Sequence, residues 1–231
     1  MRSSNYNLVK YSIGLAAAGS VLLGGRVMAD MVSFSGDYGS AGSPISAGGT
    51  TTISLNKFDT ALGTLNEVIL TLTSYDNVIA SAVNISAFTQ PYGNVVASMQ
   101  VQVNALGLLT SATGTTTPVS GTIPAHDFVG QTLTTQLVTP PAASATLSSG
   151  FAAYEGASGT RFDVTVDPQT VNVSGSVANG SVFLGGDGSS YGHVGVEYLY
   201  TPAVSAPEPS ALLGGLGAMG TLAMMAWRKR K

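Results

Sequence analysis

Apolar and polar side chains alternate with a period of two through the middle of the chain. Val95, Ala97, Met99, Val101 and Val103 are interleaved with Val96, Ser98, Gln100, Gln102 and Asn104. Phe162, Val164 and Val166 alternate with Arg161, Asp163, Thr165 and Asp167, and Val194, Val196, Tyr198 and Tyr200 with His193, Gly195, Glu197 and Thr201. In an extended chain successive side chains point to opposite faces, so this pattern sets one row on a core and the other in water. Further strands are predicted over 31–36, 51–56, 66–74, 78–87, 116–122, 132–139 and 170–177. Gly, Pro, Asn and Asp separate them, as in Pro91-Tyr92-Gly93-Asn94 and Gly185-Gly186-Asp187-Gly188. No amphipathic helix of ten residues is legible, although 58–66 has room for a single turn, and no repeat of fixed period occurs. About ten short strands with antiparallel-style alternation predict an all-β domain, an antiparallel two-sheet sandwich of jelly-roll-like form, over residues 30–201.

Composition supports that expectation. Only 9% of the 231 residues are charged and 29 are Gly. Abundant Thr and Val favour strands, and so many glycines weaken helices. Charge changes the picture by its distribution. The net −3 of the whole chain conceals a basic end, Arg228-Lys229-Arg230-Lys231, and a leader holding Arg2, Lys10 and Arg26. Residues 30–206 keep Lys57 and Arg161 against eleven acids, 2 − 11 = −9. A body so acidic repels nucleic acid and anionic lipid. The absence of cysteine excludes disulfides and thiolate metal sites.

The two ends read as addresses. Arg2 and Lys10 precede the uncharged, largely apolar run Tyr11–Gly25, and Val27-Met28-Ala29 supplies small residues for signal-peptidase cleavage between Ala29 and Asp30. At the other end a linker over 202–206 leads to Pro207-Glu208-Pro209. Seventeen uncharged residues, 211–227, follow, and then the four basic ones. As a helix at about 1.5 Å per residue, that run approaches the roughly 30 Å hydrocarbon layer, with the basic cluster on the cytoplasmic side of an inner membrane. The glycines of Gly215-Leu216-Gly217-Ala218-Met219-Gly220 match G-x-G-x-x-G but lack the strand and βαβ setting of a dinucleotide site.

Triplet, apolar helix and basic tail, in that order over 207–231, resemble the PEP-CTERM sorting signal of Gram-negative bacteria that make exopolysaccharide. The resemblance implies processing near Pro207, Glu208 and Pro209 by an exosortase, a membrane protease-transpeptidase. Ala206 stands where Val is commonest before the triplet. A second run, Phe58-Asp59 through Leu62-Gly63-Thr64-Leu65 to Val68-Ile69-Leu70-Thr71-Leu72, is similar to the opening of the choice-of-anchor E family of bacterial surface domains, and Val196-Glu197-Tyr198-Leu199-Tyr200 fits its close. That resemblance implies a family domain over about 31–201 and defines no activity. Phe58 and Leu62 are expected to pack beneath a turn that feeds the strand at 66–74.

Candidate chemistry is sparse. His126 sits in the polar turn Ile123-Pro124-Ala125-His126-Asp127, and His193 opens the last strand on the side away from its valines. Gly188-Ser189-Ser190-Tyr191-Gly192 matches G-x-S-x-G, the nucleophile elbow of α/β-hydrolases. That elbow requires a strand-to-helix turn, and here the motif lies in a glycine-rich stretch before the last strand. No catalytic residue is assigned. Asp163 and Asp167 on one strand face and Asp187 in its glycine-rich loop are weak calcium candidates, with a solvated acidic face as the competing reading. Tyr38, Tyr75, Tyr92, Tyr154 and Tyr191 fall in or beside predicted loops, where exposed rings would stack on sugars. The expected function is therefore a non-enzymatic structural or adhesion protein of the cell surface or biofilm matrix, without a cofactor. The alternative is a carbohydrate-binding module for exopolysaccharide, and a secreted hydrolase ranks third.

Overall fold

The computed structural model describes residues 29–178 and 180–203. Residues 1–28 of the expected signal peptide 1–29, and the expected sorting segment 207–231 with Pro207, Glu208 and Pro209, lie outside the described residues. Fourteen strands and one short 3₁₀ turn make up the rest: β1 Asp30–Tyr38, β2 Ile45–Ser46, β3 Thr51–Asn56, β4 Phe58–Asp59, β5 Gly63–Asn84, β6 Gln90–Ala105, β7 Leu108–Thr115, β8 Val119–Ile123, β9 Asp127–Val138, β10 Ala143–Leu147, the 3₁₀ turn Phe151–Ala153, β11 Glu155–Gly156, β12 Arg161–Pro168, β13 Asn172–Val177 and β14 Val182–Pro202. The domain is all-β, as expected.

Two antiparallel sheets of six strands face each other, an arrangement consistent with a β-sandwich. In the first, the path runs β1-β14-β5-β10, with β2 beside β14 and β9 beside β5. In the second, β3 pairs with β12 and β12 with β6, β13 continues along the same edge of β6, and β7 and β8 line its other edge. A two-residue parallel pair, β4 with β11, closes one end.

The long strands β5 and β14 define the shape. They pair from Gly63–Pro202 at one pole to Asn84–Val182 at the other. At about 3.3 Å per residue, 22 residues reach roughly 70 Å. β1 lies along β14 with Asp30 opposite Tyr200. The described chain therefore starts and ends at the same pole, called here the terminal pole.

The core runs between the sheets as three clusters in series. The largest, at the terminal pole, gathers Leu70, Leu72, Val194 and Tyr198 from the first sheet against Val101, Val103, Val164 and Val166 from the second. Phe58 packs there against Tyr198 and Tyr200 with ring centroids 5.8 and 5.1 Å apart. Val78, Ala80, Val95, Ala97 and Met99 form the middle cluster, and Ala82, Ile123 and Val182 the distal one. On β14 the middle section is made thin. An added Cβ at Gly186 would meet Val171 Cγ1 and Val173 Cγ2 at 2.6 Å, and one at Gly188 would meet Val171 and Met99 within 3.0 Å. Glycine at both positions lets the valines of the second sheet reach the strand.

Several expectations are corrected. The predicted strands 66–74 and 78–87 are one strand, β5, because Tyr75-Asp76-Asn77 continues the pleat instead of turning. Gly185-Gly186-Asp187-Gly188 is inside β14, and Pro91-Tyr92-Gly93-Asn94 is inside β6, where the pairing shifts register and Asn94 takes φ 52°. β7 and β10 have no counterpart in the expected strands. Residues 58–62 form β4 and a turn, not a helical turn. Phe58 is buried as expected, whereas Leu62 is exposed.

Candidate functional site

Strand alternation decides where the chemical side chains go. In β14 the even-numbered residues from 188 to 198 face the core and the odd-numbered ones face solvent. Ser190 is fully buried, and His193 lies on the outer face hydrogen-bonded to Asp37 of the neighbouring β1. The G-x-S-x-G serine and the histidine nearest to it in sequence are thus on opposite sides of one sheet. Residues 188–192 are strand, not the turn a nucleophile elbow needs. His126 sits, as expected, in a turn, with φ 55° and its ring 5.8 Å from that of Phe128.

Ser190 belongs to a polar layer between the first two core clusters. Its hydroxyl donates to Asp76 Oδ1 at 2.7 Å, and the Tyr38 hydroxyl lies 3.1 Å from the Ser190 oxygen. Ser74 Oγ donates to the other carboxylate oxygen at 3.3 Å. Asp76 is completely buried, and this desolvation raises its pKa, with the Ser190 and Ser74 hydrogen bonds pulling the other way. Burial also pushes the Tyr38 phenol up to about 12; the Ser190 hydrogen bond opposes that rise and the Asp76 charge adds to it. With no opening to solvent, the layer serves cohesion.

The five loop tyrosines separate. Tyr38 and Tyr154 are buried, the latter donating to the Ala105 carbonyl, so neither offers a ring to a ligand. Tyr92 is half-buried between the middle and distal clusters. Tyr75 and Tyr191 lie opposite each other on β5 and β14, their rings stacked at 5.2 Å on the outer face of the first sheet. Tyr75, Tyr92 and Tyr191 are half-exposed, and four of the five, these three and Tyr38, sit within strands instead of loops.

The calcium candidates do not converge. Asp163 and Asp167 occupy the outer face of β12 in the second sheet, where Asp163 accepts from Ser54. Asp187 is on β14 in the first sheet and accepts from its neighbour Gly188 N at 2.7 Å. Among the described residues no three His, Asp or Glu side chains gather at metal-binding range.

Two surface features were not legible beforehand. The first is a cavity of about 210 Å³ on the outer face of the second sheet, lined by Gln102, Asn104, Leu109, Thr165 and Asp167. Its residues come from β6, β7 and β12, and only the pairing of those strands assembles them. The second is the pole opposite the chain ends. There Phe88, Phe128 and Val129 are 74%, 64% and 97% exposed, with Ile85 and Phe183 close to them in the strand register. Loop residues such as Phe88 carry no periodicity, so only their unexpected hydrophobicity could have drawn attention.

Ala29 and Asp30, the expected cleavage pair, are exposed at the very start of β1. No helix among the described residues is long and apolar enough to cross a membrane, and the expected span 211–227 lies outside them. No family model matches the chain, and no curated protein matches its sequence. A solved structure of the infectious bursal disease virus Gt strain aligns with 87% of this chain and 46% of its own at 13% identity, and its TM-score of 0.10 carries no weight for fold or function.

Proposed function

We propose that the chain is an exported structural or adhesion protein of the cell surface or extracellular matrix of a Gram-negative bacterium. In this reading signal peptidase removes the leader, 211–227 holds the chain in the inner membrane, and an exosortase processes it near Pro207-Glu208-Pro209. The fold would be a jelly roll: the sheet orders β1-β14-β5-β10 and β3-β12-β6-β7 support it, since in each sheet a late strand, β14 or β12, lies between two earlier ones.

One observation carries the adhesive role. Asp30 and Pro202 sit at one pole, while the exposed apolar residues Phe88, Phe128 and Val129 sit at the other, about 70 Å away along β5. An anchored domain would hold this tip farthest from its attachment. Clustered exposed hydrophobics mark contact surfaces. The contact we favour is with the same tip of a second copy. Within 84–90, 123–130 and 180–184 the sole charged residue is Asp127, so tips can meet while the acidic bodies stay apart.

The test is a cell-aggregation assay with the full chain exported by its own signals. Wild type should clump cells, and the double variant Phe88→Ser with Phe128→Ser should lose most of the clumping at unchanged surface level and melting temperature. Equal clumping by both forms would remove the tip from the account. Mass spectrometry of the surface fraction reports both processing sites, and a full-length, unprocessed cytoplasmic product would refute export. A second reading, carbohydrate binding, is favoured by the polar cavity on the second sheet.

A further inference from the structure

We infer that the cavity on the outer face of the second sheet binds one neutral sugar ring of a polysaccharide, an inference that rests on the carbohydrate-binding reading and gives it a place. The lining forms two cross-strand rows. Leu109, Asn104 and Thr165 are register partners across β7, β6 and β12, and Ser111, Gln102 and Asp167 form the next row on the same face. Strands about 4.8 Å apart and rows about 7 Å apart frame a patch the size of a single ring. The volume agrees: about 210 Å³ lies below the roughly 300–1,000 Å³ of sites for larger ligands.

The hydrogen-bonding groups are oriented and left open. Gln102 donates its amide to Gln100 Oε1 at 2.9 Å, and Gln100 donates on to Ser111 Oγ at 3.2 Å. This fixes the Gln102 side chain and leaves its carbonyl oxygen as an acceptor. Asn104 Oδ1 accepts from Gly107 N at 3.2 Å in the β6–β7 turn, which leaves the Asn104 amide as a donor. The Asp167 carboxylate is half-buried, and no hydrogen bond to it from another described side chain or backbone group is present. Acceptors at Gln102 and Asp167 therefore face a donor at Asn104 across some 7 Å, with the Thr165 hydroxyl able to do either. Neighbouring sugar hydroxyls each donate and accept, and they match such an alternating set. Leu109, largely exposed at the rim, offers an apolar surface to the C–H face of the ring.

Charge selects among sugars. The carboxylate of Asp167, within a domain that carries nine net negative charges over 30–206, disfavours uronic acids and sulfated sugars. One carboxylate with two amides also falls short of the six to eight oxygens that calcium takes.

The experiment uses the full chain in mild detergent on an array of neutral gluco-, galacto- and manno-oligosaccharides, with a polyuronate as the charged control. Binding to at least one neutral glycan and none to polyuronate is expected. Asp167→Ala and Asn104→Ala should each weaken that binding at least tenfold with unchanged melting temperature, while Tyr75→Ala on the other sheet should leave it intact. Neutral-glycan binding that survives both cavity variants, or that Tyr75→Ala alone abolishes, keeps the carbohydrate reading and overturns this site. No binding to any neutral glycan overturns the site and the reading together, and leaves the tip-mediated adhesion untouched.

Discussion

Asn84→Ala is expected to destabilise the domain by about 3 kcal/mol, because the amide is completely buried and every polar atom on it is used. Asn84 is the last residue of β5. Its Nδ2 donates to the carbonyls of Phe88 at 2.9 Å, Pro124 at 2.8 Å and Ile123 at 3.3 Å, and its Oδ1 accepts from Ser86 N at 3.0 Å. One side chain thereby ties the 85–89 loop to the end of β8. Alanine takes the amide from the Pro124 and Ile123 carbonyls and from Ser86 N beside Ala82, Ile123 and Val182, the smallest of the three core clusters, while the Phe88 carbonyl keeps the Ser86 hydroxyl. An orphaned buried group costs about 1–3 kcal/mol, and partial hydration at the pole keeps the sum below the full count. For a domain of this length the loss corresponds to a fall of roughly 6–12 °C in melting temperature. Urea unfolding gives the free energy directly, and amide exchange at 85–89 should quicken even where the rest of β5 stays protected. A loss under about 1 kcal/mol would mean that water replaces the amide and that the pole is looser than its hydrogen bonds imply.

That clamp also orders the exposed apolar tip for which an adhesive role is proposed. Ser86, held through its own N–H, donates to the Phe88 carbonyl at 2.6 Å and accepts from Phe88 N at 3.2 Å. The Phe88 ring is thus displayed by a built loop, so Asn84→Ala should weaken tip contacts as well as the fold.

How much of this was legible in the sequence follows from which residues line the inner faces. Strands with large apolar inner residues, such as 51–56, 95–103 and 161–167, were readable because Leu55, Met99 or Phe162 recur every second position. β7 was not, since its inner positions are Thr110, Ala112 and Gly114. Gly114 is small because a Cβ there would meet Asp76 Oδ2 at 2.8 Å. β5 was split in two for a related reason: Ser74 and Asp76 face inward, and a polar pair at core positions reads as a turn when the partners that satisfy it are 114 residues away in β14. The start of β14 was hidden by glycines that exist to admit Val171 and Val173. Of the candidate sites, the outward placement of His193 was readable from alternation alone. The cavity on the second sheet was not, because its mostly polar side chains come from three strands whose pairing no local pattern encodes.

The same inward-facing polar pair gives the second large effect. Ser190→Ala is expected to cost about 2–3 kcal/mol at pH 7, the range for a hydrogen bond to an ionised, buried group. The substitution removes the 2.7 Å donor to Asp76 Oδ1 and takes from the Tyr38 hydroxyl one of its two serine partners in the layer, leaving Ser74. The cost should also depend on pH with a definite sign. Burial raises the Asp76 pKa above its unfolded value of about 3.8. Between those two values the native state holds more protons than the unfolded chain, so stability from this group is fully present in acid and falls as pH rises. Because the Ser190 hydrogen bond is one of the two that hold the pKa down, alanine drives it further up, widens that window and deepens the fall. The mutational cost is therefore small near pH 3 and largest at neutral pH. Asp76→Asn should flatten the slope, since an amide keeps the shape, accepts from Ser190 and donates to Ser74 without a charge to desolvate. Denaturant melts of the three proteins from pH 3 to 8 measure the differences. A cost for Ser190→Ala that does not change with pH would show that Asp76 keeps one protonation state throughout that range, and the polar layer would then owe its strength to shape and neutral hydrogen bonds alone.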